Sequence, residues 1–256
     1  MINIKWILLG VIPMFLMGCG TKSHTLVLGN AMEVSYVDAG GKKLMVMTPG
    51  KDARWQFVSH KQTDFKGEPD INDTTILLNV AAAFTLDLVS MDVCGDHVVA
   101  GERIKGYDDV TATGHMLIVD DKVAIASNDK LEQSIQEAVD GKGYLFQQCY
   151  IVENGKGFVE RVPEALLKRN PSIIFRAVCV KDDGSVVVVQ GDEPMLVSEF
   201  VDVLVAFGAR QALYLDMGTW AWGWVREWDK LPQELSEHFF NTRFQSNWLQ
   251  VVTPRR

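Results

Sequence analysis

The stretch that decides the fold class is Ile173-Ile174-Phe175-Arg176-Ala177-Val178-Cys179-Val180-Lys181-Asp182-Asp183-Gly184-Ser185-Val186-Val187-Val188-Val189-Gln190. Two apolar, β-branched runs, Ile173 to Val180 and Ser185 to Gln190, flank Asp182-Asp183-Gly184. Such a turn predicts a β-hairpin, and therefore antiparallel pairing. Downstream, Ser198 is placed to cap a helix whose Phe200, Val201, Leu204, Val205 and Phe207 face a core, with Gly208 ending it. Ala212 to Leu215 then reads as a short buried strand.

Upstream, Leu26-Val27-Leu28, Lys43 to Thr48 and Trp55 to Ser59 read as short strands, and Lys61 to Thr74 as a polar loop. Thr75 to Ala83 has the pattern of a buried strand. His97 to Ala100 and His115 to Val119 follow, and Asp120-Asp121 turns the chain into Val123 to Ala126. Ser127-Asn128-Asp129 caps a helix with Leu131, Ile135 and Ala138 on its apolar face, stopped by Gly141. Leu145 to Val152 reads as one strand before an Asn154-Gly155 turn, and Pro163 to Arg169 as a short helix. Strands outnumber helices and the two do not alternate. The expectation is an α+β fold, a mixed or antiparallel β-sheet core with a few flanking helices.

At the other end, Lys5 precedes an apolar run from Trp6 to Met17 that is too short to cross a bilayer as a helix. Leu16-Met17-Gly18-Cys19 resembles a bacterial lipobox, in which cleavage precedes a lipid-modified cysteine. The expected organisation is a signal peptide over 1–18, a lipid-anchored tether over 19–30, and one domain over 31–256. Gly20 is not an Asp-type inner-membrane retention signal, so the expected place is the cell envelope, at the outer membrane. The 25 Lys and Arg against 33 Asp and Glu give a net charge of −8, without a long basic stretch, which argues against a nucleic-acid partner. Cys94, Cys149 and Cys179 remain after Cys19; two of them pair, or all three are buried thiols. No Cys/His spacing suggests zinc, and no cofactor is expected.

Three polar residues end or interrupt apolar strands. Asp216 follows Ala212-Leu213-Tyr214-Leu215 with Gly218 close behind, which suits a general base, a nucleophile or a turn-forming aspartate. Arg176 lies in an apolar strand and needs an acceptor, either a carboxylate such as Asp216 or an anionic substrate. Asn79 ends Ile76-Leu77-Leu78 and is either a substrate-orienting amide or a structural one. Trp220, Trp222 and Trp224 share one face if extended, as a stacking platform for sugar rings or a packing surface. His97 and His115 read as structural.

Phe175-Arg176-Ala177-Val178, the Asp183-Gly184 turn, the helix ending Phe207-Gly208 and Ala212 to Gly218 resemble the C-terminal half of the phosphodiester glycosidase family. Asn79-Val80-Ala81-Ala82-Ala83-Phe84, and Phe146-Gln147-Gln148 through Asn154-Gly155-Lys156, resemble two of its upstream segments. The resemblance implies cleavage of a sugar from a phosphodiester. Asp216 would act at the sugar, Arg176 would hold phosphate, Asn79 would orient the substrate, and Gly218, Thr219, Trp220 and Trp222 would contact it. The expected partners are a glycan or sugar-phosphate substrate and, through Cys19, the membrane. The sequence departs from the family at Met217-Gly218-Thr219, where a run of glycines is usual, and at Cys179. A non-catalytic glycan-binding lipoprotein is the alternative.

Overall fold

The computed structural model describes residues 32–59, 69–86, 90, 92–168, 173–216, 222–227, 230–235 and 246–253. Its strands, in chain order, are β1 (Met32–Ala39), β2 (Lys42–Pro49), β3 (Arg54–Ser59), β4 (Ile76–Ala81), β5 (His97–Val99), β6 (Glu102–Ile104), β7 (Gly114–Val119), β8 (Lys122–Ser127), β9 (Tyr144–Gln148), β10 (Tyr150–Glu153), β11 (Lys156–Gly157), β12 (Arg176–Lys181), β13 (Val186–Gly191), β14 (Ala209–Tyr214), β15 (Gly223–Val225), β16 (Gln233–Glu234) and β17 (Asn247–Val252). The α-helices are α1 (Leu131–Asp140), α2 (Glu164–Leu167) and α3 (Val197–Ala206). A first sheet runs β1-β2-β13-β12-β14-β10-β11, a second β16-β15-β4-β17-β3, and a third β6-β5-β9-β7-β8. The ladders between these strands are all antiparallel. The fold is β-rich, and of the two expected arrangements, mixed or antiparallel, these ladders are antiparallel.

Strand alternation explains how the sheets stack. In the first sheet Val178, Val188 and Leu213 face Leu78, Val80, Leu249 and Val251 of the second, and Met116, Ile118 and Phe146 of the third join the same core. The opposite face of the first sheet, with Ala177, Cys179 and Val189, receives Phe200, Val201 and Leu204 of α3. Helix α1 covers the third sheet, laying Ile135 and Ala138 on Val98, Leu117 and Leu145. Each such apolar side chain fully removed from water contributes about 1.5–3 kcal/mol.

The hairpin at 182–184, the Asp120-Asp121 turn and both longer helices stand where the sequence puts them. Asp120 and Asp121 take φ of 49° and 62°, the left-handed pair that a tight hairpin requires. Other readings need correction. Ser198 is not the cap of α3: Leu196 is, and Glu199 Oε2 reaches back to accept its N–H at 2.8 Å. Leu145 to Val152 is two strands, β9 in the third sheet and β10 in the first, broken at Cys149. Gln148 makes the break tolerable, since its Oε1 accepts the Cys149 N–H at 2.8 Å. Strands β1 and β17 have no counterpart in the sequence reading. The strand expected at Leu26 to Leu28 lies outside the described residues. Cys94, Cys149 and Cys179 are all free, buried thiols.

Candidate active site

Three sheets meet where β14 ends. Leu215 N–H donates to the Arg176 carbonyl and Asp216 N–H to the Ala82 carbonyl, each at 3.0 Å. Asp216 is thus the residue at which the first sheet meets the chain leaving β4, and it is 5% exposed. Gln148 Nε2 donates to the same Ala82 carbonyl at 3.3 Å, bringing the Cys149 break alongside.

A second segment closes on this point. Cys94 N–H donates to Phe84 O at 2.8 Å, Tyr107 N–H to Val93 O at 3.1 Å, and Gly95 N–H to Tyr107 O at 2.7 Å. A Cβ at Gly106 would lie 2.1 Å from Gly95 O and 2.2 Å from Val93 O, so only glycine allows this approach. Asp109 Oδ1 then accepts the Thr111 N–H at 2.8 Å and its hydroxyl at 2.7 Å. Thr111 also hydrogen-bonds the Cys149 thiol. Cys94, Tyr107, Asp109, Thr111, Cys149 and Asp216 therefore surround one spot, with Tyr107, Asp109 and Thr111 on its half-buried rim.

The electrostatics separate these groups by role. Burial, then the charge of Asp109 and that of Asp216, pushes the Cys94 thiol up to about 12, against a hydrogen bond with Tyr107. Burial also raises the Tyr107 phenol, with Cys94, Asp109 and Asp216 adding to it. Cys149 is raised by burial. Tyr107 therefore keeps its proton and remains a donor. Neither thiol is a thiolate, so neither serves as a nucleophile at neutral pH. Asp216 and Asp109 are the acidic side chains whose charges reach this spot.

Arg176 begins one peptide away but works elsewhere. It shares the face of Val178, so its side chain enters the layer between the first and second sheets, fully buried. Nε and Nη2 donate to Gln190 Oε1 at 2.9 and 2.6 Å, and Gln190 Nε2 donates to Leu235 O at 3.0 Å. Nη1 lies 3.3 Å from where a Cβ on Gly223 would stand, so that glycine leaves room for the guanidinium. Burial pulls Arg176 down to about 9, which leaves it protonated at neutral pH. The expected open fork for phosphate is instead largely engaged by Gln190.

Asn79 is set apart from Arg176. Leu78 and Val80 face the central core, so the pleat turns Asn79 to the outer face of the second sheet, where it accepts Gln250 Nε2 at 2.7 Å. Trp222 is 3% exposed and meets Trp248 edge-on at 5.9 Å, packed with Ile76 and Trp224. Its ring is spent on packing, which leaves no face for a sugar. Gly218, Thr219, Trp220 and Cys19 lie outside the described residues. His115 is structural, between Asn128 Oδ1 at 3.2 Å and Ser134 Oγ at 2.9 Å, and His97 packs edge-on against Phe57. The sequence reading passed over Tyr107 and Asp109. Their signal was Gly106-Tyr107-Asp108-Asp109-Val110-Thr111, a glycine followed by an Asp-x-Thr turn.

No family model and no curated protein matches the sequence. In fold, the chain is similar to the zebrafish N-acetylglucosamine-1-phosphodiester alpha-N-acetylglucosaminidase catalytic domain auto-inhibited by pro-peptide, with a TM-score of 0.56 at 13% identity. The match covers 91% of this chain and 85% of that one. It is also similar to a hypothetical protein from Synechocystis, with a TM-score of 0.53 at 10% identity over 87% of this chain. There it spans 62% of the other chain. At such identities the likeness is one of fold.

Proposed function

We propose that this protein is an envelope hydrolase that cleaves a sugar from a sugar-1-phosphodiester, with Asp216 as its central carboxylate. The observation that carries the reading is the pair of carboxylates, Asp216 and Asp109, whose charges both bear on half-buried Tyr107 and buried Cys94 at the junction of three sheets. The fold's likeness to a phosphodiester glycosidase catalytic domain supports the same reaction class.

The chemistry suits the groups present. Cleavage of a glycosyl bond builds positive charge at the anomeric carbon, which neighbouring carboxylates stabilise. The leaving group is a phosphate monoester anion, which departs readily and needs less protonation than an alcohol, and water takes its place on the anomeric carbon. Tyr107, held in its protonated form, donates a hydrogen bond to the departing phosphate oxygen. Arg176 has its Nε and Nη2 on Gln190, so its part is to frame Leu215 and hence Asp216 through its carbonyl, with its cation buried behind them. The glycan-binding alternative loses its motivation in Trp222 and Trp224, both buried.

The lipobox-like Leu16 to Cys19 supports attachment to the outer membrane through lipid on Cys19. The test of the activity is product release from a panel of sugar-1-phosphodiesters, comparing the protein with its Asp216→Asn variant. The substitution keeps size and removes charge, so turnover should vanish while substrate affinity stays near that of the parent.

A further inference from the structure

The outer face of the second sheet carries buried N–H donors that the Asp216 reaction does not use. By alternation, this face presents Trp222, Trp224 and Arg226 along and just beyond β15, Asn79 and Ala81 on β4, and Trp248 and Gln250 on β17. Trp224 stands opposite Asn79, Asn79 opposite Gln250, and Gln250 opposite Gln56. The amides form a one-way chain: Gln56 Nε2 donates to Gln250 Oε1 at 2.7 Å, and Gln250 Nε2 to Asn79 Oδ1 at 2.7 Å. A chain polarised this way must end in a donor.

That donor, Asn79 Nδ2, is buried and has no acceptor among the described residues. The same is true of Trp224 Nε1, Trp248 Nε1 and Arg226 Nε. Arg226 Nη2 donates to Ile71 O at 2.6 Å, and the guanidinium lies 5.8 Å from the centre of the Trp224 ring. No carboxylate pairs with Arg226 among the described residues. Asp70 and Asp73 are turned to Asn72 and Thr75, and Glu234, the other neighbour of Trp224, is exposed. Asn79, Trp224 and Trp248 are fully buried, whereas Arg226 is half-buried.

Buried donors are nearly always paired, because leaving one unmade forfeits its hydration. Four on one face, one of them cationic and none with an acceptor among the described residues, mark a face whose partner must bring the acceptors. We propose that this face binds a small oxyanion (a phosphate, sulfate or carboxylate group) through the N–H groups of Asn79, Trp224 and Arg226. Arg226 supplies the charge and the entrance. A free sugar fits less well, since its hydroxyls would find no acceptors of their own.

The test uses purified full-length protein, titrated with inorganic phosphate and with sulfate against sodium chloride at matched ionic strength. Tryptophan emission and the thermal midpoint are the readouts. A saturable emission change and a raised midpoint are expected with the oxyanions, weakened at least about tenfold by Arg226→Gln. Asn79→Asp keeps the oxygen that Gln250 bonds and turns the terminal donor into an acceptor beside Arg226. This variant should melt higher than the parent without added anion, and should lose the oxyanion response. A parent response no larger than that to chloride would overturn the proposal, as would full binding in Arg226→Gln. So would an Asn79→Asp variant that melts lower yet still responds; if it fails to fold, Arg226→Gln decides alone.

Discussion

Tyr107 and His115 show how one physical term, burial, serves two purposes. At Tyr107 burial and two carboxylates keep the phenol protonated, so its hydroxyl can only help a reaction by donating. Tyr107→Phe should lower kcat by about 10–100-fold and change KM little, a loss on the scale of a single positioned donor. Steady-state kinetics on a sugar phosphodiester would check it, and an unchanged kcat would remove Tyr107 from the reaction. At His115 burial lowers the imidazole from 6.5 and keeps it neutral between Asn128 and Ser134. As pH falls below 6.5 the unfolded chain takes up this proton before the folded one does, so stability drops through that window. His115→Gln should flatten the drop between about pH 7.5 and about pH 5, read as urea midpoints. An equal drop in both proteins would contradict the assignment. Asp216 was legible as a strand-end carboxylate, and Arg176 as a buried cation in need of an acceptor. That the acceptor would be Gln190 was not legible, because the two meet only through the register of β12 and β13.

At the level of elements, local signals carried what local chemistry controls. The turns at 120–121, 154–155 and 182–184 and the apolar spacing of α1 and α3 are all short-range, and each is present. The break at Cys149 was hidden because Leu145 to Val152 contains no glycine, proline or other turn residue; only the change of sheet, with Gln148 satisfying the backbone, divides it. Strand β17 was missed because its exposed-looking residues, Gln250 among them, are buried by pairing with β3 and β4. Trp222 and Trp224 share one face, as the row would if extended, but alternation says nothing of whether that face meets solvent. Gly223 ties this strand to the centre. An added Cβ would stand 2.6 Å from the Asn79 carbonyl and 3.3 Å from Arg176 Nη1. Gly223→Ala should therefore destabilise the protein by about 1–3 kcal/mol through overpacking. Chemical denaturation would measure it, and a neutral result would mean that β15 shifts freely against β4.

Across the whole molecule, the three sheets share one core, and the proposed site lies at their junction rather than on any single element. The strand-like runs of the sequence foretold a β-rich fold. The third sheet's place was beyond them, since it depends on contacts between distant strands. The proposed lipid anchor belongs to this scale too. Cys19→Ser should abolish palmitate incorporation and leave an uncut precursor, whereas equal labelling of both proteins would count against a lipoprotein. The central claim concerns Asp216, and one measurement meets it most directly: sugar released from a panel of sugar-1-phosphodiesters by the full-length protein and by Asp216→Asn. The account predicts release by the parent on at least one member of the panel and none above background by the variant, with substrate binding retained. Release that persists unchanged in Asp216→Asn, or no release by the parent across the panel, would contradict it.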